Sequence, residues 1–274
     1  MGGIGILGGT FNPVHGAHIR HAVEVRERLN LDLVLLMPNS VPPHKAARGL
    51  LPFELRVDLL RAATEGIPGL EISTLEGELE GPSYTWRSLE EFRRRGLVSR
   101  PQDLYLMLGV EDFAQLLTWK RGLELPAFAN LVVVPRQDSG RQLFNRAGST
   151  FWPEIWPCPV SGPQNDPGRL AGRISFPYRN TVSDPQNDLI RLDVSLEPLF
   201  PGMRCIYMPL PRMDITATEI RRRWLARRCL NILVPDAELA LMQKHESLLR
   251  DIWTDAPGSA EITISRQDGT LQFP

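Results

Sequence analysis

A short turn near the N-terminus, GGTFNPVHGAH at residues 8–18, constrains the fold more than any other segment of the chain. It follows an apolar run at residues 4–7, which predicts a buried strand, and it precedes residues 19–29, which predict a helix. Glycine lets a ligand approach the backbone closely, and the first turn of a helix offers unpaired N–H groups and a positive dipole end. The sequence therefore predicts an anion-binding site between the first strand and the first helix.

Two histidines add chemistry to this turn. His15 and His18 are three residues apart, a spacing that places both side chains on one face of a helical turn. Both imidazoles can then reach the same phosphate. A histidine pair at this spacing is by itself usually a solvated pair on a helix surface.

Composition limits the class of protein. At 274 residues the chain can bury a complete core, and its 31 basic and 32 acidic residues argue against a general nucleic-acid or membrane-surface binder. Three scattered cysteines, Cys158, Cys205 and Cys229, argue against a disulfide framework or a zinc knuckle and fit a reducing compartment. The sequence shows neither a signal peptide nor an apolar run of the roughly 20 residues that span a bilayer. We expect a soluble cytoplasmic protein.

The first 136 residues alternate apolar runs with amphipathic segments, which predicts an α/β domain with a parallel sheet. After the first strand, further strands are predicted at residues 31–37, 70–73, 103–108 and 131–134. Residues 51–64 predict an amphipathic helix. In this helix we expect Phe53, Val57, Leu60 and Ala63 to face the core and Glu54, Arg56 and Asp58 to face solvent.

Polar segments follow two of these strands, at the edge where open α/β sheets bind ligands. PNSVPPHK at residues 38–45 follows the second strand, and by itself it predicts a rigid surface turn. GVED at residues 109–112 follows the fourth strand, with TWK at residues 118–120. A third segment, GPSYT at residues 81–85, opens a helix predicted at residues 86–95, where Ser83 or Thr85 would ordinarily be an N-cap.

The regular pattern stops after residue 136. Residues 137–201 are rich in proline, asparagine, glycine and aspartate, with Trp152, Trp156 and Phe176 between them, and we interpret them as an insertion. Either its aromatic residues partly order it, so that it covers the site or mediates self-association, or it is a disordered elaboration. Residues 202–250 complete the core with a strand at 204–208 and a last helix at 236–249, and residues 251–274 form a tail.

A second candidate phosphate segment, ITATEIRRR at residues 215–223, follows that last strand. It is a hydroxyl-rich helix start followed by a basic turn. Thr216 or Thr218 can cap the helix while its N–H groups face an anion, and Arg221 can reach back as a phosphate clamp. Taken alone, the segment is more often an ordinary capped basic helix.

Together these segments resemble a known family. Residues 8–18 resemble the (H/T)xGH signature of the nucleotidyltransferase superfamily, and in particular that of bacterial nicotinate-nucleotide adenylyltransferases. Residues 215–223 resemble the second signature, ISSTxIR, with Thr216 at the first hydroxyl position and Ala217 at the next. The resemblance implies a Rossmann-like three-layer nucleotidyltransferase fold with a parallel sheet. To this fold the chain would add a long irregular insertion and a small C-terminal helical part.

The resemblance also implies an activity and a set of site residues. The activity is transfer of AMP from ATP to nicotinate mononucleotide, giving deamido-NAD and pyrophosphate in NAD biosynthesis, with Mg²⁺ held mainly by the ATP phosphates. The implied catalytic residues are His15, His18, Lys45 and Arg221. The implied ATP and phosphate site comprises Gly8, Gly9, Thr10, Phe11, Ile215, Thr216 and Thr218. The implied mononucleotide site comprises Asn39, Thr85, Glu111 and Trp119, with Glu111 standing where the family usually has an aspartate.

Other functions stay open at this point. The two signatures also suit nucleotidyltransferases with another acceptor, such as nicotinamide mononucleotide or phosphopantetheine, although the PPHK, PSYT and TWK segments favour a pyridine nucleotide. A zinc protein that uses His15, His18 and His21 would need a third side chain that this spacing turns around the helix. A silent nucleotide-binding regulator is a third alternative. The expected partners are ATP and the mononucleotide, without nucleic acid or membrane, and a homo-oligomer is possible.

Overall fold

The computed structural model describes residues 2–42, 48–135, 140–156, 178–183 and 190–254. The strands in this part of the chain are β1 (Ile4–Gly9), β2 (Leu33–Pro38), β3 (Leu70–Ile72), β4 (Leu104–Gly109), β5 (Asn130–Val134), β6 (Tyr178–Ser183), β7 (Ile190–Ser195) and β8 (Arg204–Tyr207). The α-helices are α1 (Gly16–Leu29), α2 (Phe53–Thr64), α3 (Leu75–Glu78), α4 (Thr85–Arg94), α5 (Val110–Ala114), α6 (Gly140–Phe151), α7 (Ala217–Leu225), α8 (Asp236–Lys244) and α9 (Glu246–Thr254).

The described strands form one sheet in the order β3-β2-β1-β4-β5-β8-β7-β6. In this spatial order the first six strands are parallel to one another. The last two, β7 and β6, extend the sheet in the antiparallel sense. The chain runs from β1 outward to β2 and β3, and then returns to place β4 on the other side of β1. The strand order therefore reverses between β1 and β4, and open α/β sheets bind ligands at the carboxyl end of such a reversal.

Alternating side chains of the sheet enter two separate apolar cores. On β5, Leu131 and Val133 point into one core and Val132 and Val134 into the other. The first core contains residues of α4, α5 and α6, and the second contains residues of α1, α2 and the C-terminal helices. Strands buried on both faces require continuous apolar runs, which is the pattern that β2, β4 and β5 show. The predicted three-layer fold is confirmed.

The connection after β5 is more regular than the sequence analysis predicted. It contains α6 and the two antiparallel strands β6 and β7. The ring of Phe144 on α6 lies 5.3 Å from that of Phe113 and 5.0 Å from that of Trp156. Gly148 lets α6 approach the Trp156 ring so closely that a Cβ at this position would collide with it. Trp152 and Trp156 are buried, as the first of the two alternatives for this segment expects, while Phe176 lies outside the described residues.

Two further predictions about exposure and spans can be compared with the structure. Arg56 was expected to face solvent, and this is wrong, because its side chain is buried and donates hydrogen bonds to backbone carbonyls.

No helix in the described part of the chain is both long and apolar enough to cross a bilayer. The division of the chain at residues 136, 201 and 250 stays a prediction.

The C-terminal helices bury a carboxyl group. Glu238 lies in the first turn of α8, and this helix packs against α2. The Glu238 side chain is completely buried. Neither oxygen of this carboxyl has a hydrogen-bond partner among the described residues. Burial without a compensating donor raises the pKa of Glu238 well above its ordinary value.

We expect Glu238→Gln to stabilise the protein, by an amount that grows with pH. In the wild type the folded state holds a proton that the unfolded chain releases above its pKa of about 4.5. Wild-type stability therefore falls as pH rises, by up to about 1.4 kcal/mol per unit until the folded pKa is reached. Glutamine keeps the size of the side chain and cannot ionise.

The measurement is urea unfolding of both proteins between about pH 4 and pH 8. Glu246→Gln on α9 is the matched control, because Glu246 is exposed and its hydrogen bond to Arg250 lowers its pKa, so that its loss should weaken the protein at neutral pH. A Glu238→Gln effect that does not change with pH would contradict the expectation.

Candidate active site

The carboxyl ends of β1 and β2 form an open edge of the sheet. In this parallel pair Gly8 lies beside Met37 and Gly9 beside Pro38. The Asn39 N–H donates to the Gly9 carbonyl at 2.9 Å, so the loop after β2 is tied to the glycine turn. Gly8 is exposed although β1 is a central strand, and a Cβ at this position would meet no atom within 4 Å. A ligand can therefore approach the backbone at Gly8.

The two histidines lie side by side at the start of α1. His15 is the residue before the helix, and its ring stacks on that of His18 with centroids 3.8 Å apart and 24° between the planes. Phe11 holds this pair from the other side, with its ring edge-to-face to His18 at 5.0 Å. Phe11 adopts a left-handed backbone with φ of 46°, an uncommon conformation for a bulky residue that marks a closely specified turn. The structure thus brings His15 and His18 together on one face.

The second signature packs directly against the first. Arg221 Nη1 donates to the Asn12 carbonyl at 2.8 Å, and its Nη2 donates to Thr218 Oγ1 at 3.1 Å. Thr216 caps α7, because its Oγ1 accepts from the Glu219 N–H at 3.1 Å. Burial of the Arg221 guanidinium lowers its pKa, and the nearby charge of Arg222 lowers it further. The Arg221 guanidinium is therefore held within hydrogen-bond distance of the turn at residues 8–18.

Gly16 lies close to the second signature and is hydrogen-bonded to the segment that follows it. Its N–H donates to the Leu233 carbonyl at 2.9 Å, in the segment that follows α7. A Cβ at Gly16 would lie 3.9 Å from Ile215 Cδ1, so Ile215 borders the same turn. Segments about 200 residues apart in sequence therefore form one surface at the start of α1.

The start of α4 is tied to the loop after β2. Ser83 Oγ accepts from the backbone N–H groups of Ser40 at 2.9 Å and Val41 at 3.2 Å, and the Ser83 N–H donates to the Val41 carbonyl at 3.0 Å. The expected N-cap role of Ser83 or Thr85 is wrong, because no side chain caps α4, whose first residue is Thr85. Ser83 joins two loops instead, and this places Thr85 near the loop that carries Asn39.

The turn that carries Trp119 packs against the same helix start. Trp119 follows a short 3-10 helix, Leu116–Thr118, and is half-buried. Lys120 Nζ lies 4.9 Å from the centroid of the Tyr84 ring, and the Arg121 guanidinium lies 4.7 Å from the Trp86 ring. These two cation–π contacts connect the turn to α4.

Two predicted site residues are not connected to the others in this way. Glu111 lies in the first turn of α5, directly after β4, and the described contacts do not join it to the remaining candidate residues. Lys45 lies outside the described residues. By contrast, the loop that carries Asn39, the helix start that carries Thr85 and the turn that carries Trp119 are joined to one another by the contacts given above.

Comparison with known proteins identifies the family. The profile of the cytidylyltransferase-like family matches residues 6–223. The chain is 41% identical over 234 residues to a protein of Pelobacter propionicus named probable nicotinate-nucleotide adenylyltransferase, covering 85% of this chain and 91% of that protein. A protein of the same name from Pseudomonas putida strain KT2440 is 32% identical over 247 residues, covering 89% of each chain. This chain belongs to the nicotinate-nucleotide adenylyltransferase family. The resemblance inferred from the sequence is confirmed.

Solved structures support the same fold. The nicotinic acid mononucleotide adenylyltransferase of Plasmodium falciparum, complexed with NaAD, aligns with a TM-score of 0.57 at 13% identity, covering 92% of this chain and 98% of that one. The same enzyme complexed with APC aligns with a TM-score of 0.55. At this low identity the likeness establishes only that the fold is shared.

Three residues that organise this candidate site were not predicted from the sequence. Arg56 and Ser83 connect loops, and Asn12 fixes the turn through its carbonyl bond to Arg221 and through its side chain, whose Oδ1 accepts from the Leu51 N–H at 3.1 Å. A signal existed for Arg56, because Phe53, Arg56, Val57 and Leu60 follow the i, i+3, i+4, i+7 spacing of one helix face. Ser83 and Asn12 lie inside segments that the sequence marks, but their contacts could not be predicted because their partners are distant in sequence.

We expect Gly8→Ala to weaken binding of a non-hydrolysable ATP analogue by about tenfold or more, a loss of roughly 1.4 kcal/mol. The added methyl group would occupy the open space beside the backbone, where it obstructs a ligand and touches no protein atom. The free energy of unfolding should change by less than about 0.5 kcal/mol. Calorimetric titration and urea unfolding measure the two quantities.

Gly96→Ala, just after α4, should give the opposite pattern. Its Cβ would also meet no atom within 4 Å, but its φ of +68° is strained for alanine. This control should lose about 1 kcal/mol of stability and keep nucleotide binding. Normal binding by Gly8→Ala would show that the ligand does not approach the backbone at this glycine.

Proposed function

We propose that this chain transfers AMP from ATP to nicotinate mononucleotide, giving deamido-NAD and pyrophosphate. The observation that carries the proposal is the Arg221–Asn12 hydrogen bond, which places the two signature segments on one surface at the end of the central strand. That surface presents an exposed glycine backbone, two stacked imidazoles and a partly buried guanidinium. Such a set of groups suits a polyphosphate.

The reaction needs charge stabilisation more than acid–base catalysis. An oxygen of the mononucleotide 5′-phosphate, already anionic near neutral pH, attacks the α-phosphorus of ATP. The bond from that phosphorus to the oxygen bridging to the β-phosphorus breaks, and its electron pair leaves with pyrophosphate. In-line positioning and neutralisation of the departing charge then provide the rate enhancement.

The phosphate roles follow from position. His18, with His15 stacked behind it, would bind the α-phosphate and the leaving oxygen. Arg221 would hold the outer phosphates from the opposite side, and Lys45 is proposed for the same task on the strength of the family resemblance alone. Thr218, which already contacts Arg221, can bond a phosphate oxygen, whereas the Thr216 hydroxyl is engaged in capping α7.

The mononucleotide would lie between the loop after β2 and the start of α4. Asn39 and Thr85 border this space, and Trp119 offers an aromatic face for the pyridine ring. Glu111 stays a candidate for the sugar hydroxyls. We infer that the acid is preferred over the amide, since Lys120 and the N-terminus of α4 give this end of the site a positive character, whereas the charge of Arg121 is paired with Glu124.

A magnesium ion at this site would be bound mainly by the phosphates of ATP. Among the described residues, no group of three or more His, Cys, Asp or Glu side chains could hold a metal ion. Mg²⁺ typically keeps several waters and binds nucleotide phosphates, so the residues present are compatible with an ion that ATP brings. When bound, it would neutralise phosphate charge. The cytoplasmic location and a homo-oligomeric state remain proposals.

The direct test is pyrophosphate release by the purified protein with ATP, Mg²⁺ and either nicotinate or nicotinamide mononucleotide. The proposal expects turnover with a strong preference for the acid. Equal rates with the two mononucleotides would contradict the proposed preference for the acid. Silence with both mononucleotides would refute the proposed acceptor.

We expect His18→Ala to lower kcat by about 100-fold or more, because charge on the α-phosphate would lose its neutralising partner. The fold should persist, since His18 is half-buried at a helix start. Steady-state pyrophosphate release and thermal unfolding measure both properties. His245→Ala, at the end of α8, is the matched control and should retain activity. Near-normal turnover by His18→Ala would remove it from the site.

Trp119→Ala should raise KM for the mononucleotide about tenfold and leave KM for ATP nearly unchanged, because only the pyridine ring would lose its stacking surface. The two constants are measured by varying each substrate at saturation of the other. Leu117→Ala, in the short helix just before Trp119 and 61% exposed, controls for local disturbance. Equal changes in both KM values would place Trp119 outside the pyridine pocket.

A further inference from the structure

Arg56 is a buried cation beneath the candidate site. It lies on α2 and is 1% exposed. Its Nε donates to the Leu51 carbonyl at 3.0 Å, and its Nη1 donates to the carbonyls of Thr10 and Asn39, both at 2.8 Å. Its Nη2 donates to the Ser40 carbonyl at 3.4 Å. The guanidinium is thus surrounded by backbone oxygens from three separate segments.

Two of these segments belong to the two halves of the proposed site. Thr10 is in the turn assigned to ATP, and Asn39 is in the loop assigned to the mononucleotide. One nitrogen atom, Nη1, binds both carbonyls. A guanidinium is planar and rigid, so the directions of its donors fix where the two carbonyls lie relative to each other. The distance between the two loops therefore depends on this side chain.

The charge of Arg56 is retained despite burial. Loss of solvent lowers the pKa of its guanidinium to about 10, while the nearby Glu76 carboxylate opposes that shift. The group stays protonated near neutral pH. Glu76 is itself buried, and its Oε1 accepts from Ser88 Oγ on α4 at 2.8 Å. The buried network therefore extends toward the helix whose start carries Thr85.

We propose that Arg56 is a positioning residue for the transfer reaction, holding the ATP turn and the mononucleotide loop at the separation that in-line attack requires. This inference rests on the proposed function. Arg56 touches neither substrate and acts through the backbone of Thr10, Asn39 and Ser40. A misplacement of about 1 Å between reacting groups can cost about 100-fold in rate, so a small shift of either loop has a large kinetic effect.

The kinetic test compares Arg56→Lys, Arg56→Met and Arg61→Met. Lysine keeps the charge but lacks the planar set of donors. Arg61→Met is the control, since Arg61 lies on the same helix with an exposed side chain paired to Asp58. We expect Arg56→Lys to lower kcat by about 100-fold while each KM changes by less than about threefold, and Arg56→Met to lose more. Rates are taken below the thermal transition of each variant.

A second measurement does not need turnover. Hydrogen–deuterium exchange in Arg56→Lys should accelerate in peptides covering residues 8–13 and 38–42 together. Peptides from β5 and α9 should exchange as in the wild type. A purely structural role would instead change the melting temperature, accelerate exchange across the whole sheet and leave kcat of the folded protein unchanged.

These results separate the two proposals. An inactive wild type would refute the proposed acceptor, while exchange in the two loops would still decide whether Arg56 positions them. An active wild type with unchanged kcat in Arg56→Lys would overturn the positioning role. So would a change confined to one KM, or exchange that accelerates in only one of the two loops.

Discussion

Parallel pairing of β1 on both sides is the constraint on which the rest of the site depends. Because β2 and β4 both run parallel to β1, the chain cannot reach either of them by a tight hairpin and has to cross back from the carboxyl end of β1. The turn there cannot continue the ladder, and α1 must begin above the point where strand order reverses. The exposed glycine and the helix start therefore meet at one place, and the C-terminal segment completes it.

Backbone carbonyls, more than carboxylates, hold the arginines that organise this place. Arg221 donates to the carbonyl of Asn12, and Arg56 donates to those of Leu51, Thr10, Asn39 and Ser40. A carbonyl accepts a hydrogen bond without cancelling the cation, so positive charge remains available near a polyphosphate. Each bond also fixes a loop whose own sequence has little regular structure. The same contacts thus serve the geometry of the loops and the charge of the site.

Particular residues show how far sequence reasoning extends. The proximity of the two histidines and a hydroxyl cap on α7, with Thr216 as one of two candidates, could be predicted as local geometry, because each involves residues within one turn of a helix. Arg56 lies on the buried face of α2 and not on the predicted exposed face, because its helical spacing groups it with the apolar residues despite its charge. Helix α6 was missed because glycines and hydroxyl residues dilute its pattern, and its order comes from packing against Phe113, which precedes it by about 30 residues.

Sequence alone is enough to predict the strand–turn–helix order, the continuous apolar runs of the central strands and the two signature segments. Each of these features involves residues that are close together in sequence, and the spacing of such residues indicates the local backbone conformation. Folding, by contrast, brings Arg221 to Asn12, lets Ser83 join two loops and places the carbonyls of Thr10 and Asn39 against one arginine nitrogen. Such contacts join backbone groups that every residue carries, so no pattern of side chains marks them until the chain has folded.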